Sequence, residues 1–242
     1  PMCARSYSSR RGNFFFQMGL LFLLLGILGV GYFFWQSQIV GLSSFFSKDT
    51  RALYEFSFDK LGSNNQDLWE DENFSDFVNA YASETLLVDF EKEIKPWMGN
   101  RIGVAQFPDK GIIYAFEIGD KAGIDAFLDT YLTEGESFKE EIMNFGRVLS
   151  PEFSSNIGIG FHGKWLFWSN DIALLRSQFT VVEKLSGTRW YQKVAKDIPR
   201  NGFFKAFVNI PQIVDDLGDS PEVKSQKPLY EAFSKSILGL AI

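Results

Sequence analysis

Residues 101–132 read RIGVAQFPDKGIIYAFEIGDKAGIDAFLDTYL. Side chains alternate along residues 101–107 and again along residues 112–118, with the period of two that marks a β-strand. The Pro-Asp-Lys-Gly segment between them predicts a tight turn, because proline presets φ and glycine tolerates a positive φ. Asp120 then caps a helix. The apolar side chains of that helix recur at three- and four-residue intervals: Ile124, Phe127, Leu128 and Tyr131.

The same strand, strand, helix order recurs farther along the chain. Residues 157–161 and 164–168 predict two short strands. A helix follows from Asn170 or Asp171, with its apolar face extending to Leu185. Strands joined by tight turns run antiparallel, and helices beside them cover a face of the sheet. We therefore predict an α+β fold, an antiparallel sheet with helices packed on it, organised as two repeated strand-strand-helix halves.

Shorter signals complete the predicted domain. Period-two patterns and apolar spacing predict strands at 51–58 and 202–210, helices at 74–81 and 86–94, a short helix after Pro211 and a final helix from about Leu229 that buries Phe233, Ile237 and Leu240.

A separate feature is the apolar run Phe14–Trp35, which only Gln17 interrupts. As a helix, its 22 residues would reach about 33 Å, enough to cross a hydrocarbon core of about 30 Å. A cleavable signal peptide is the alternative, but its apolar region should span about 7–15 residues and end in small side chains. This run ends in bulky aromatics, so we predict a membrane anchor along its whole length: Phe14, Leu20, Leu24, Ile27 and Trp35.

Charge predicts the orientation of this anchor. Arg10 and Arg11 precede the run directly, and no Lys or Arg follows it until Lys48. The positive-inside rule therefore predicts a cytoplasmic N-terminus and an extracytoplasmic main domain at the cell membrane. The predicted organisation is a basic tail (1–13), a transmembrane anchor (14–35), a polar stalk (36–50) and the α+β domain (51–242), truncated at its C-terminus within an apolar run.

Composition narrows the classes of partner. The chain has 24 basic and 30 acidic residues, and three of the basic ones precede the anchor. The part beyond the anchor therefore carries a net charge of −9, which is unsuited to nucleic acid because phosphate binding needs clustered Lys and Arg. Cys3 is the only cysteine and lies on the predicted cytoplasmic side. The external domain therefore holds together through its core, without disulfides.

One glycine-rich segment imitates a nucleotide site. Residues 158–165 read GIGFHGKW and fit two phosphate-binding patterns. A phosphate loop needs Ser or Thr after Lys164, but Trp165 stands there. Both patterns also need a helix immediately afterwards, so that its amides face the phosphate, whereas a strand pattern follows. We predict a hairpin turn here and no cofactor.

Other chemistry-bearing residues lack partners at useful spacing. His162 is the only histidine, and we predict an exposed turn histidine instead of a base or metal ligand. An acidic cluster does not have the spacing of a calcium loop, so we predict a solvated loop: Asp67, Glu70, Asp71, Glu72 and Asp76. We predict no catalytic residues and no metal site.

A resemblance adds to this reading. The segment Ile94-Lys-Pro-Trp-Met-Gly99, the strand after it, the helix at 120–132 and the segment 165–171 resemble a bacterial, membrane-anchored family known as domain of unknown function 3352. The resemblance covers roughly residues 50–242 and implies an extracytoplasmic domain, with no site residues to carry over. In this pattern Pro96 would end a helix, Trp97 would be buried, and Gly99 would allow a turn.

Together these features predict an uncharacterised single-pass envelope protein with a non-catalytic binding or structural domain. The expected partners are the lipid bilayer, through the anchor, and an unknown protein or other envelope component. The abundance of Phe, 26 residues in all, leaves a lipid- or hydrophobe-binding domain as the alternative. An envelope hydrolase is the third hypothesis.

Overall fold

The computed structural model describes residues 41–61, 71–86, 88–133, 138–151, 156–199, 202–217 and 237–241. The chain divides into two compact units, Pro1–Gly41 and Leu42–Ile242. The predicted basic tail and anchor lie outside the described residues. Among the helices that are described, none is both long enough and apolar enough to cross a bilayer.

Within the described residues, the second unit is built on one sheet of nine strands. They are β1 (Ala52–Ser57), β2 (Met98–Gln106), β3 (Ile112–Ile118), β4 (Phe138–Met143), β5 (Gly146–Pro151), β6 (Gly158–His162), β7 (Trp165–Ser169), β8 (Phe204–Asn209) and β9 (Ile237–Ala241). Their order is β4-β5-β6-β7-β3-β2-β1-β8-β9, and all neighbours are antiparallel.

Helices cover both faces of this sheet, which confirms the predicted α+β class. They are α1 (Glu72–Thr85), α2 (Lys121–Thr133), α3 (Ile172–Thr180), α4 (Arg189–Asp197) and α5 (Ile210–Leu217), with a π-helical turn at Phe90–Ile94. The first face packs against α3 and α4. The second face packs against α1, the π-helical turn and α2.

The stretch that predicts the fold forms β2, a turn, β3 and α2, as expected. Gly103 lies opposite Ala115 across the two strands. Asp120 caps α2, since its Oδ1 accepts the backbone N–H of Ala122 at 3.0 Å. The positive φ of the turn falls on Asp109, at 55°, whereas Gly111 has a φ of −63°. Aspartate tolerates this left-handed conformation better than most side chains.

On the first face, residues from the predicted stalk form part of the core. The Phe45 ring stacks on the Phe167 ring at 3.8 Å and contacts the Phe179 ring edge-on at 5.0 Å. Leu42 and Phe46 are 3% and 0% exposed. The prediction of a polar stalk over residues 36–50 is therefore wrong for residues 42–50. Its apolar side chains are separated by serines, which hid their packing from the sequence pattern.

On the second face, Trp97 and Trp168 are the largest buried side chains, and each is 1% exposed. Trp97 joins several elements. Its ring lies 5.6 Å from the Phe127 ring of α2 and 6.1 Å from the Phe116 ring of β3. The indole N–H donates to the Glu93 carbonyl, which ties the ring to the π-helical turn. Burial of such a ring joins three elements around one side chain.

The helix predicted to reach Leu185 ends at Thr180 instead. Val181 is extended, with ψ at 133°, and Val182 is 80% exposed. Two successive β-branched residues lower helix propensity here. The chain then pairs with residues near 48, because the Lys48 N–H donates to the Glu183 carbonyl at 3.0 Å. Leu185 is buried from a separate 3-10 turn.

Two described elements are absent from the sequence prediction, and a third has a different secondary structure. The β4–β5 hairpin and α4 have no counterpart in it. Residues 237–241 form β9, paired with β8, where a helix was expected. Pairing along a neighbouring strand overrides local helix propensity in this segment.

The two strand-strand-helix units are not a symmetric repeat. Their inner strands, β3 and β7, are antiparallel neighbours. A two-fold axis relating such strands would place both following helices on one face, yet α2 lies on the second face and α3 on the first. The recurring order therefore reflects local patterning without structural symmetry.

Candidate functional site

A surface cleft of about 700 Å³ opens between α1 and the π-helical turn. Its lining is mixed, with two apolar and five polar or charged residues: Asn79, Ala80, Ser83, Val88, Asp89, Glu91 and Lys92. The π-helical geometry widens this turn, and such turns often occur at functional sites. The cleft is therefore a candidate for polar contacts with a partner.

The charged groups of the cleft already have partners. The Asn79 Oδ1 accepts the Glu91 N–H at 3.1 Å, and the Glu91 carboxylate binds the Lys95 ammonium at 2.7 and 2.9 Å. Asp89 accepts both the backbone N–H and the ammonium of Lys92, at 3.1 and 2.7 Å. The hydrogen bond from the Lys92 side chain lowers the pKa of Asp89. Asp89 is therefore ionised at neutral pH, unlike a general acid.

An exposed aromatic pair stands on α1, on a different side of the helix from Asn79 and Ser83 of the cleft. Phe77 is 67% exposed and Tyr81 is 46% exposed, and their rings stack with centroids 6.4 Å apart. The Tyr81 and Tyr114 hydroxyls are 2.9 Å apart, so a hydrogen bond fixes Tyr81 to the sheet. Burial raises the pKa of Tyr114, which keeps its phenol protonated. Exposed large aromatics held in one position are typical of interaction surfaces.

A charged network crosses one end of the first face. Arg101 donates to the Glu117 carboxylate at 3.1 Å, and Lys164 lies 2.6 Å from the same oxygen. Arg101 also lies over the Trp165 ring, 4.9 Å from its centroid. Burial raises the pKa of Glu117, but the two cations outweigh this effect and lower it.

Glu55 in the same network has the opposite shift. Burial raises the pKa of Glu55, while Lys205 and Arg101 partly offset this effect. Lys205 lies directly opposite on β8. The carboxylate also accepts the backbone N–H of Leu42, the first residue of the domain. This hydrogen bond holds the backbone at Leu42 against the sheet. Glu55 therefore has a structural role in the fold.

The family-like motif residues lie at structural positions, although Gly99 lies within β2 and not in a turn. Trp97 is the core residue described above, and Pro96 is exposed at the end of the π-helical turn. A Cβ added at Gly99 would lie 2.9 Å from the Glu117 Cγ. The absence of a side chain there allows β2 and β3 to approach closely.

The glycine-rich segment also has a packing role. A Cβ added at Gly160 would lie 2.4 Å from the Phe179 ring of α3, so this glycine lets the helix pack close to β6. Gly163 has a φ of 58° in the predicted hairpin turn. His162 is half-buried instead of exposed, because its Nδ1 contacts the Phe145 carbonyl. A strand follows the segment, as β7.

The other predicted residues divide between described and undescribed parts of the chain. The anchor and topology residues lie outside the described residues: Phe14, Leu20, Leu24, Ile27, Trp35, Arg10 and Arg11. The first two acidic-cluster residues, Asp67 and Glu70, also lie outside them. Glu72 and Asp76 are exposed on α1. In the part that the structure describes, no three His, Cys, Asp or Glu side chains are close enough to hold a metal ion.

Comparison with known proteins identifies the family. A family model described as "Protein of unknown function (DUF3352)" matches residues 18–239. The chain belongs to this family. No curated protein matches it. Among solved structures it is similar to one titled "Structure of crystal form III of TP0453", at 10% identity, over 81% of this chain and 69% of that chain, with a TM-score of 0.39.

The sequence reasoning missed the surface of this DUF3352 domain that stands out most. Phe77 and Tyr81 are four residues apart on one side of α1, and such spacing usually indicates a buried face. The buried residues of α1 lie on another side of the helix instead. Ala82 is 3% exposed, and Val78 packs against the second-face core. The acidic residues that flank Phe77 and Tyr81 in sequence are the feature that could have predicted their exposure.

Proposed function

We propose that this chain is a single-pass protein of the bacterial envelope, anchored by Phe14–Trp35, whose extracytoplasmic α+β domain is a non-catalytic binding module. The apolar run and the arginines before it support the anchor and its orientation. The proposed binding surface is the side of α1 that carries Phe77 and Tyr81.

One observation carries this proposal. The aromatic side chains of the sheet pack against one another on both faces, while Phe77 stays largely and Tyr81 partly in solvent on α1. Packed aromatics account for the abundance of Phe without requiring a ligand. Among the described residues, Phe77 contacts the Tyr81 ring and Tyr81 contacts Tyr114, yet much of both rings stays exposed, which costs solvation free energy that a partner would recover.

The two alternatives have less support. A hydrophobe carrier needs an apolar cavity of several hundred Å³, and the cleft beside α1 is lined largely by polar groups. A hydrolase needs paired carboxylates that can exchange protons at a reacting centre. Each described carboxylate with a shifted pKa already has a partner: Lys92 for Asp89, Arg101 and Lys164 for Glu117, Arg176 for Glu141, Lys48 for Glu183, Arg51 for Asp216 and the Leu42 N–H for Glu55.

Site-specific photocrosslinking in native membranes tests the binding surface. A photoreactive phenylalanine analogue at position 77 should give adducts, because a partner ring or chain would lie within contact distance. The matched control is the same analogue at Ile142, which is 81% exposed on β4. Equal adduct formation from both positions, or none from position 77, would contradict the proposal.

A further inference from the structure

Two helices on opposite faces of the sheet carry exposed charges of opposite sign. On α1, acidic residues follow one line at four-residue intervals, interrupted by a small residue: Glu72, Asp76, Ala80 and Glu84. All four are exposed, and α1 contains no Lys or Arg. Residues four apart on a helix lie about 6 Å apart along its axis and about 40° apart around it, so these carboxylates form an acidic stripe that winds slowly around α1.

A complementary stripe lies on α4. Arg189, Lys193 and Lys196 are exposed and occupy positions i, i+4 and i+7, which share one helix face. Val194, on the opposite side of the helix, is buried in the first-face core. Among the described residues, none of the charged members of either stripe takes part in an ion pair.

The two stripes cannot meet within one domain, because α1 covers the second face of the sheet and α4 covers the first. We propose that the acidic stripe of α1 docks on the basic stripe of α4 of a second copy of this chain. Such a contact joins two different surfaces, so it is heterologous and leaves one α1 and one α4 unoccupied at the ends. The association is therefore an open head-to-tail row of copies.

The aromatic pair adds a second attraction at the same place. Phe77 and Tyr81 each follow an acidic-stripe position directly in sequence, and both rings are open to solvent. A lysine ammonium of α4 that approaches the carboxylates would also meet these ring faces, which attract cations. The proposal thus accounts for the exposed rings and for both charged stripes with one partner.

This association should be weak for isolated molecules. Exposed ion pairs contribute little individually, and a contact between two helix faces buries less area than a stable dimer needs. The inference rests on the proposed function in one respect, since anchoring confines the copies to a plane and raises their effective concentration. It also predicts sensitivity to ionic strength, because salt screens exposed charges.

Cysteine crosslinking of the full chain in uncharged lipid vesicles tests the geometry. In a Cys3→Ser background, Ala80→Cys reports on α1 and Gln192→Cys reports on α4, and both positions are exposed. A bifunctional maleimide should join an Ala80→Cys chain to a Gln192→Cys chain, and the variant with both changes should give a ladder of multimers. Crosslinks only between identical positions would mean an isologous dimer and would overturn the proposal, as would monomers alone. Asn144→Cys, exposed in the β4–β5 turn, is the matched control.

Charge reversal separates docking from misfolding. Asp76→Lys with Glu84→Lys should reduce the ladder by at least about fivefold, and so should Lys193→Glu with Lys196→Glu. Mixing the two reversed chains should restore crosslinking, because each then presents the charge that the other needs. If the mixed variants do not crosslink although circular dichroism shows that each is folded, the docking is contradicted.

A lipid-binding role of α4 is a separate outcome. If the α4 variant loses affinity for anionic vesicles and its crosslinked ladder is unchanged, α4 binds lipid and the proposal is overturned. If the chain inserts in the membrane but gives no crosslinked multimers, self-docking is refuted and the proposed function is unaffected.

Discussion

The side chain of Leu42 lies directly over Gly103, so that a Cβ added at Gly103 would be 2.0 Å from the Leu42 Cδ1. This contact holds the first residue of the domain against the middle of the sheet. Leu42 is 3% exposed, so its side chain has little room to move aside. The beginning of the domain is thus set by a glycine sixty-one residues farther along the chain.

Gly103→Ala should therefore destabilise the domain. We expect a loss of about 1–3 kcal/mol in the free energy of unfolding, because the added methyl overpacks a filled site. Denaturant titration of the detergent-solubilised full chain measures it. Gly187→Ala is the control, since nothing lies within 4 Å of an added Cβ there. In a Leu42→Ala background the cost of Gly103→Ala should shrink; full additivity of the two changes would refute the contact.

Trp97→Ala should destabilise the domain by about 3–5 kcal/mol, the usual cost of removing a large buried ring. Trp97→Phe should cost less, because it keeps an aromatic ring against Phe127 but loses the indole hydrogen bond to Glu93. The transition midpoints in urea, compared among the three proteins, give the order. Equal midpoints for wild type and Trp97→Ala would show that this side chain does not join the second-face elements.

Asp216→Ala should weaken the attachment of α5 to the start of β1. The Asp216 carboxylate accepts two hydrogen bonds from the Arg51 guanidinium, at 2.5 and 2.9 Å. This pair is partly exposed, so we expect a loss of about 1 kcal/mol instead of the larger cost of a buried pair. Asp215→Ala removes the neighbouring exposed carboxylate and serves as the control in the same unfolding assay. An equal loss from both variants would mean that general charge, and not the Arg51 contact, sets the effect.

Glu55→Gln should change how stability depends on pH. Burial raises the pKa of Glu55 above its ordinary value of 4.5, so the folded state holds the proton more tightly than the unfolded chain does. Ionisation of Glu55 therefore costs stability as pH rises from 4.5 through the folded-state pKa. Glutamine stays neutral, so the variant should gain stability relative to the wild type across that window and then level off.

Glu183→Gln provides the opposite sign for comparison. The hydrogen bond from Lys48 lowers the pKa of Glu183, so ionisation of Glu183 adds stability as pH rises through its titration. This variant should lose stability relative to the wild type over that range, by a small amount because the pair is exposed. Parallel pH profiles of unfolding for the two variants would contradict the assignment of Glu55 as a buried carboxylate.

Much of the fold follows from the sequence where periodicity is clean. Residues 101–132 alternate, turn and then repeat at helical spacing, and the structure follows them closely. Residues 42–50 and 237–241 could not be predicted in this way. The former contribute Phe45 and Phe46 to a core whose other members, apart from Leu42 and Leu53, are more than fifty residues away in sequence, and the latter form a strand only because β8 offers an edge.

The candidate site was less accessible to sequence reasoning than the fold. The spacing of Phe77 and Tyr81 indicates only that they share a side of a helix, and which side faces the sheet depends on how α1 packs. The basic stripe of α4 was missed for a related reason. Its nine-residue helix is clearly amphipathic, but the apolar side consists of Trp190, Tyr191, Val194 and Ala195, and their contact with the first-face core depends on tertiary packing.

The proposed function depends most directly on the membrane anchor and its orientation. Labelling of single cysteines in intact cells tests both. Cys3 is the only cysteine in the chain, and Asn144 lies exposed in a turn of the domain. A membrane-impermeant maleimide should leave the wild-type Cys3 unlabelled until the membrane is opened, and should label the Cys3→Ser, Asn144→Cys variant in intact spheroplasts. Labelling of Cys3 from outside, or protection of position 144, would contradict the account.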